Sequence, residues 1–303
     1  MKNTSRIQVN VVGGIGNQLF TYYAGKYLAA KLDKQLIINT GKLGVGGPLH
    51  AGRLSDFNFG TPITEILVSP STNRAMQKFS SLAMRSSKKY RKMHFGMTGI
   101  YSSNVIGFDP QFLKITHAKE VEGYFQTYFF FDKLVSSHGV PIPTLISPSP
   151  WFKLMSFRAE NEKPIVVHVR RGDYSKPINK RIGLLGKDYF FNSIEVALNH
   201  SSNSPIWIMS DDLEESKEFF RGSSRHNISW VTPPNSSSPV ESLLLMSKAS
   251  VNIISNSTFS WWGAKLNQGS KSKVIAPKKW FKDLDDPELL IPADWTQIES
   301  SWV

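Results

Sequence analysis

Short apolar runs alternate with amphipathic segments in the second half of the chain. Five runs rich in β-branched residues predict strands, at Ile165 to Val169, Ile206 to Met209, Ile228 to Val231, Val251 to Ile254 and Val274 to Ala276. Segments with helical spacing separate them, near Asp188 to Asn199, Leu213 to Phe220, Val240 to Lys248 and Phe259 to Asn267. This alternation is typical of a parallel sheet covered by helices, so the half is predicted to be an α/β domain.

The first half begins with a similar pattern. A strand is predicted from Ile7 to Val12, and a glycine turn separates it from a segment with helical periodicity. The apolar-aromatic face of that helix consists of Leu19, Tyr22, Tyr23, Lys26, Tyr27 and Ala30. Further predicted elements are a strand at Gln35 to Ile38, a helix within Ser71 to Tyr90, a strand that ends at Glu122 to Gln126 and a helix that starts at Tyr128 to Phe131.

A proline-rich segment separates the two halves. Val140 to Pro150 contains four prolines and two serines, which is the composition of a linker. The chain has 303 residues, and single hydrophobic cores stop growing at about 250 to 300 residues. We therefore predict an N-terminal domain at 1–140, a linker at 141–160 and a C-terminal domain at 161–303.

The net charge of +12 favours an anionic partner, such as a nucleotide sugar, a nucleic acid or an acidic membrane. The chain has no cysteine, and its seven histidines show no metal-ligand spacing, so no metal site is predicted.

No apolar run is long enough for a signal peptide or a membrane span, which predicts a cytoplasmic protein. A basic cluster leaves peripheral contact with the inner face of the plasma membrane as an open alternative to a solvated helix face. The cluster consists of Arg85, Lys88, Lys89, Arg91 and Lys92.

The candidate chemistry lies at turns that follow predicted strands, where ligands bind in parallel sheets. The strand Ile165 to Val169 runs into Arg170 and Arg171, and paired guanidiniums are typical of sites that bind phosphates. Asp173 follows closely, and it either takes part in the chemistry or only neutralises an arginine. Strand alternation places Arg170 and Arg171 on opposite faces, but we expect the loop start to break the period so that both reach the cleft.

Three other turns have the same placement. Gly13 to Gln18 resembles an anion-binding glycine turn, or is only a tight turn between a strand and a helix. Asp211 and Asp212 either contact a ribose or base, or Asp211 forms a capping box with Glu214. Their direct adjacency does not favour a magnesium site. Ser255 to Thr258 offers hydroxyls and free helix N–H groups to a pyrophosphate.

Together these segments resemble the α-1,2-fucosyltransferases, which use GDP-fucose. The resemblance rests on five motifs in the family's order, Gly13-Gly14-Ile15-Gly16-Asn17-Gln18, Gly123-Tyr124-Phe125-Gln126, His168-Val169-Arg170-Arg171-Gly172-Asp173, Ser210-Asp211-Asp212 and Asn256-Ser257-Thr258-Phe259-Ser260-Trp261-Trp262. The chain departs from many relatives at Glu241-Ser242 and Val251, which puts the guanosine contacts in doubt. The resemblance implies an α/β fold of the GT-B type, with a cleft between two Rossmann-like domains, and a bacterial protein. It further implies inverting transfer of L-fucose to the 2-hydroxyl of a terminal galactose, with no metal or other cofactor.

Charge development during such a transfer suggests the site residues. Arg170, Arg171, Ser257 and Thr258 would stabilise the leaving pyrophosphate, and Asp173 is the local candidate for the base. Gly14, Asn17 and Gln18 would position fucose or the acceptor from the N-terminal domain. The remaining predicted substrate contacts are His168, Asp211, Asp212 and Asn256. The alternatives are a transferase for a different nucleotide sugar and a basic nucleic-acid-binding protein, although the chain lacks the interleaved aromatics of a strand-binding groove.

Overall fold

The computed structural model describes residues 5–41, 43, 53–67, 88–221, 228–267, 269 and 272–303. The chain forms two compact units. Unit 1 comprises Met1–Thr144 with Pro287–Leu290, and unit 2 comprises Leu145–Asp286 with Ile291–Val303. None of the helices in these described ranges has the length and apolar character needed to cross a bilayer.

Unit 1 is built on a five-stranded parallel sheet with the order β4-β2-β1-β6-β5. The five strands of this sheet are β1 (Arg6–Asn10), β2 (Gln35–Asn39), β4 (Glu65–Ile66), β5 (Ile100–Ser102) and β6 (Glu120–Glu122). The short strand β3 (Phe57–Asn58) pairs instead with β7 (Thr144–Leu145), which lies where the chain leaves the unit. The helices are α1 (Ile15–Lys31), α2 (Lys88–Thr98) and α3 (Phe129–His138). Of the helix predicted within Ser71 to Tyr90, residues 71–87 lie outside the described part of the chain.

Helix α1 is buried on more faces than the sequence pattern predicts. It packs so closely on β1 that a Cβ at Gly25 would lie 2.4 Å from Val9 Cγ1. On another side Tyr22 contacts the ring of Phe59, with the centroids 4.3 Å apart. Ala30, which was predicted to lie on the apolar face, is exposed, whereas its neighbour Ala29 is buried.

Unit 2 is built on a six-stranded parallel sheet with the order β10-β9-β8-β11-β12-β13. Its strands are β8 (Ile165–Val169), β9 (Ile206–Ser210), β10 (Ile228–Trp230), β11 (Val251–Ile253), β12 (Lys273–Pro277) and β13 (Thr296–Ile298). Its helices are α4 (Pro150–Glu162), α5 (Lys187–His200), α6 (Leu213–Phe219), α7 (Pro239–Met246) and α8 (Thr258–Lys265). The strand β13 was not predicted, since the sequence series was taken to end at Ala276.

The prediction of a linker at 141–160 is corrected by α4. This helix starts at Pro150, and the hydroxyl of Ser149 accepts a hydrogen bond from the N–H of Phe152. A serine cap followed by proline in the first turn is a helix start signal, because proline lacks the N–H that would stay unpaired there. All of the last eleven residues of the predicted linker, 150–160, are therefore helical.

Both sheets contain a point where the direction of strand addition reverses. In unit 2 the chain adds β9 and β10 on one side of β8, and then adds β11, β12 and β13 on the other side. In unit 1, β2 and β4 follow β1 on one side and β6 pairs with β1 on the other. Ligands of open parallel sheets bind outside the carboxyl ends of the strands at such a reversal. The relevant edges are therefore those after β8 and β11 and those after β1 and β6.

Candidate functional site

Arg170 follows β8 at the reversal of the unit 2 sheet. Its Nη1 lies 3.0 Å from Asp211 Oδ2, and its Nη2 forms an ion pair with Asp173. The guanidinium also lies over the ring of Tyr174, 5.1 Å from the ring centroid. The side chain remains 25% exposed, and Nε has no hydrogen-bond partner. Arg170 is thus a cation held by two carboxylates, and a quarter of its side chain remains open to a ligand.

Arg171 does not reach this surface, which corrects the prediction that both arginines line the cleft. Its side chain is 1% exposed, and its guanidinium lies 3.7 Å from the centroid of the Phe219 ring. One donor is used by the carbonyl of Leu185, 3.0 Å from Nη1. Burial is also the main cause that lowers the pKa of Arg171. Arg171 instead packs under α6, where its guanidinium lies against Phe219 and near the carboxylate of Glu215.

Asp211 anchors both arginines. Its Oδ1 accepts the backbone N–H of Arg171 at 2.8 Å, while Oδ2 pairs with Arg170. Burial raises the pKa of this carboxyl, and the charge of Arg170 acts in the opposite direction. A Cβ at Gly172 would lie only 2.3 Å from Asp211 Oδ2, so the carboxylate fits because residue 172 has no side chain.

Asp212, rather than Asp211, caps the following helix. The Oδ1 of Asp212 accepts the N–H of Glu215 at 3.0 Å, which replaces the predicted capping box of Asp211 with Glu214. The two carboxylates that were predicted to contact a ribose or base are thus both engaged within the protein. Because the two aspartates are adjacent, the sequence does not show which of them caps the helix. The start of α6 at Leu213 identifies Asp212 as the N-cap.

Asp173 lies beside Arg170 in a short 3₁₀ turn, Gly172–Ser175. Its carboxylate pairs with the guanidinium of Arg170, and its side chain is 46% exposed. This is the neutralising arrangement that the sequence left open as one alternative. The role of Asp173 as a base stays a prediction.

Helix α8 starts directly after β11, on the other side of the reversal. Its N-cap is Ser257, whose side chain makes no capping hydrogen bond. The first N–H groups of a helix have no intrahelical partner, so the Ser257 and Thr258 end of α8 provides donors for an anion. Trp261 and Trp262 are fully buried and belong to the core behind this end.

Asn256 was predicted to bind substrate, but the structure uses its side chain to hold a loop. It is 2% exposed, and Nδ2 donates to the carbonyls of Ile182 and Gly183 at 3.3 and 3.1 Å. The prediction for Asn256 is therefore corrected to an internal role, in which it fixes the loop that follows the arginine turn.

Tyr174 connects the two parts of the site. Its ring supports Arg170, and its hydroxyl donates to the carbonyl of Asn256 at 3.3 Å, one residue before the N-cap of α8. Burial raises its pKa to about 12, so the hydroxyl keeps its proton at neutral pH. The sequence pattern does not indicate this role for Tyr174, although the residue directly follows the arginine motif. Its contacts show that Arg170 and the start of α8 belong to one site.

His168 is 4% exposed and points into the protein beside α8. Its Nδ1 lies 2.8 Å from Ser255 Oγ, and its ring stacks on Phe259. Burial, followed by the charge of Arg170, lowers its pKa to about 3. His168 is therefore neutral at physiological pH, and its partners in the structure are protein groups.

The buried neutral state of His168 makes stability depend on pH. In the unfolded chain this histidine takes up a proton below its ordinary pKa of about 6.5, whereas in the folded protein it does so only near pH 3. Between these two values, the free energy of unfolding therefore decreases by about 1.4 kcal/mol for each unit by which the pH is lowered. Between pH 7.5 and 5.0 we expect wild type to lose roughly 2 kcal/mol more than His168→Gln. All eight tryptophans lie in unit 2, so urea unfolding followed by tryptophan fluorescence measures this unit. Equal losses in both proteins would contradict the buried neutral histidine.

The glycine turn after β1 lies at the reversal of the unit 1 sheet. Gly14 is exposed, and a Cβ there would meet nothing within 4 Å, so the turn is open on that side. Gln18 is fully buried, and its Nε2 donates to the carbonyl of Gly13 at 3.1 Å. The prediction that Gln18 contacts substrate is thus corrected, because its side chain braces the turn. Asn17 is half-buried and accepts a hydrogen bond from Gln126, a residue that was not among the predicted site residues.

These features define a class of protein. The fold is similar to that of the fucosyltransferase NodZ from Bradyrhizobium, with a TM-score of 0.50 and 10% identity over 88% of this chain and 94% of that one. This confirms the predicted fold class, an α/β protein of the GT-B type with two Rossmann-like domains.

Sequence comparisons point to the same class of protein. Residues 153–299 match the model of glycosyl transferase family 11. An α-1,2-colitosyltransferase of Escherichia coli is 27% identical over 97% of this chain and 99% of its own length. The O-antigen biosynthesis glycosyltransferase WbnK of Escherichia coli is 34% identical over 40% of each chain. The protein is a glycosyltransferase whose C-terminal half is similar to family 11, which confirms the resemblance stated from the motifs.

Proposed function

We propose that the protein transfers L-fucose from GDP-β-L-fucose to the 2-hydroxyl of a terminal galactose in a glycan, with inversion and without a metal ion. The observation that carries the proposal is the site in unit 2, where Arg170 and the free end of α8 meet through Tyr174. This site lies within the residues that match family 11. A cation next to a helix N-terminus at a sheet reversal suits a pyrophosphate.

In this proposal the protein stabilises the charge of the leaving GDP. When the bond between fucose and phosphate breaks, negative charge develops on the pyrophosphate. Arg170, the hydroxyls of Ser257 and Thr258 and the first N–H groups of α8 would bind that charge. Arg171 contributes indirectly, because its backbone N–H holds the Asp211 carboxylate that orients Arg170.

Donor binding would also change the surroundings of Asp173. Its carboxylate pairs with Arg170 in the structure. A pyrophosphate that takes over the guanidinium would release this carboxylate, which could then accept the proton of the acceptor hydroxyl. The guanosine contacts predicted for Asp211 and Asp212 are not part of the proposal, since both side chains are already engaged.

A second candidate donor is supported by one comparison. The relative that spans nearly the whole chain is named an α-1,2-colitosyltransferase. Colitose is fucose without the 3-hydroxyl, so the two activated sugars present the same diphosphate and differ only in the transferred ring. In this proposal the unit 2 site binds the diphosphate that both donors share, so it does not distinguish GDP-fucose from GDP-colitose.

The test compares donors in one assay. Purified protein is incubated with a β-galactoside and with GDP-fucose, GDP-colitose or a UDP-sugar, with and without EDTA, and GDP release and product mass are measured. We expect turnover with GDP-fucose that EDTA does not reduce, and a product linked at the galactose 2-hydroxyl by NMR. Faster turnover with GDP-colitose would favour the second candidate. Activity only with a UDP-sugar, or loss of activity in EDTA, would refute the proposed donor or the proposed metal independence.

The remaining partner predictions rest on the sequence alone. The match of residues 153–299 to a glycosyltransferase model favours the transferase over the nucleic-acid-binding alternative. Cytoplasmic location and peripheral membrane contact stay predictions. Of the basic cluster, Arg85 lies outside the described residues, and Lys92 is the member whose exposed side chain the structure describes.

A further inference from the structure

The edge after β1 and β6 in unit 1 is a second place where the sheet topology favours a ligand. The turn at Gly13 and Gly14 follows β1, and the segment Gly123 to Gln126 follows β6. These segments meet through an amide pair, in which Gln126 Nε2 donates to Asn17 Oδ1 at 3.0 Å. Asn17 lies in the first turn of α1, so the pair joins both sides of the reversal.

The hydrogen bond fixes which atom of Asn17 faces outward. An asparagine amide has one acceptor and one donor end, and Gln126 occupies the acceptor end. The donor end, Nδ2, then lies above Gly13, where a Cβ would be only 3.1 Å away. Gly13 has a positive φ of 72°, which also favours glycine. Asn17 is therefore held with its N–H groups available to a ligand.

The backbone holds Gln126 firmly in this place. Its N–H donates to the carbonyl of Ile106 at 2.7 Å, and the preceding Phe125 has a φ of 50°, which is uncommon for a bulky residue. The hydroxyl of Thr21 lies 3.1 Å from the carbonyl of Asn17 and 3.2 Å from that of Gly123. The segment after β6 is thus tied directly to the first turns of α1.

Gln126 is a costly residue for this position if stability alone is considered. It is 7% exposed, and its Oε1 is buried with no hydrogen-bond partner. A buried acceptor without a partner costs free energy that an apolar side chain of the same size would avoid. We infer that Gln126 is a positioning residue, which orients the Asn17 amide so that Asn17 donates to a hydroxyl oxygen of the sugar acceptor.

The surroundings favour a neutral sugar over a phosphate. Glu122 ends β6 at the same edge, and its carboxylate accepts from Asn10 Nδ2 at 2.9 Å. A carboxylate beside the site repels an anion, while amide groups suit the hydroxyls of a pyranose. The diphosphate site of the proposed function lies in unit 2, so the amide pair is assigned to the neutral sugar that receives the transferred residue. This assignment rests on the proposed function only in that a sugar is the acceptor.

The kinetic test uses Gln126→Met, which keeps the side-chain volume but removes the donor. We expect the acceptor KM to rise about 10-fold, the value of one well-placed hydrogen bond, with kcat and the donor KM changed less than about 3-fold. The melting temperature should stay equal or rise, because the unpaired Oε1 is gone. Gln111→Met, at an exposed glutamine of unit 1, is the matched control and should leave all four values unchanged. Gln126→Asn tests whether a shorter amide restores part of the acceptor affinity.

A binding experiment separates this inference from the proposed reaction. Saturation-transfer NMR would measure methyl β-galactoside, methyl β-glucoside and methyl β-N-acetylglucosaminide on wild type and Gln126→Met without any donor. Binding of at least one glycoside that Gln126→Met weakens supports the amide pair, even if no fucose transfer is found. The inference is overturned if wild type binds none of them, if the variant binds them equally well, if the donor KM rises instead, or if the variant only loses melting temperature.

Discussion

Arg170→Ala should lower kcat with GDP-fucose by about 10² to 10³-fold, the usual loss when one stabiliser of transition-state charge is removed. Arg170 is the described guanidinium that is partly exposed at the unit 2 site, whereas Arg171 is buried under Phe219. Two effects would contribute to this loss, the missing cation and the carboxylates that it leaves behind. Without Arg170, the carboxylates of Asp173 and Asp211 face the diphosphate unpaired and repel it.

The controls for Arg170→Ala address charge and folding. Arg221→Ala removes the same charge from an exposed residue of unit 2 that pairs with Glu218, and we expect less than about 3-fold change in kcat. Arg170→Lys should recover only part of the activity, because an ammonium cannot pair two carboxylates and a phosphate through a planar fork. GDP release is the measured quantity, and circular dichroism confirms the fold. Turnover of Arg170→Ala at the wild-type rate would exclude Arg170 from the chemistry.

Some sequence signals were sufficient to predict parts of the fold, and others were too weak. Strands β8, β9, β11 and β12 were predicted within about two residues, because β-branched runs buried on both faces have few alternative structures. The helix α4 was missed because four prolines nearby dominated the pattern, although Ser149 and Pro150 contained the start signal. The strand β13 has only three residues with an exposed Gln297 at its centre, and it pairs on one side only, so its pattern is too weak to detect.

The candidate site was predictable where strand order alone places residues. Arg170, Ser257 and Thr258 follow neighbouring parallel strands, so their approach follows from the topology. The orientation of side chains was not predictable in the same way. Arg171 and Asn256 belong to the right segments, yet they point into unit 2, because packing against Phe219 and the loop at Ile182 decides their direction. Tyr174 and Gln126 act through contacts between distant segments, which no local pattern contains.

Gly172→Ala should reduce kcat/KM for the donor about 10- to 100-fold without removing any charged or polar group. A Cβ at this position would lie 2.3 Å from Asp211 Oδ2, which is too close for two atoms that are not bonded to each other, so the carboxylate must move. Asp211 would then lose its pairing with Arg170 Nη1, and its hydrogen bond from the Arg171 N–H would weaken. A displacement of about 1 Å in a positioning group typically costs about 10²-fold in rate. The variant thereby tests whether the placement of Arg170, and not only its charge, is needed.

Steady-state kinetics and thermal unfolding of Gly172→Ala distinguish this effect from general destabilisation. Gly96→Ala is the matched control, because a Cβ there meets nothing within 4 Å and alanine is the better helix former by about 0.5 to 1 kcal/mol. The control should keep wild-type kinetics and an equal or higher melting temperature. For Gly172→Ala we expect a higher donor KM and a smaller thermal shift with GDP, while the acceptor KM stays unchanged. A loss of melting temperature with normal donor kinetics would mean that Asp211 supports the fold but does not set the position of Arg170.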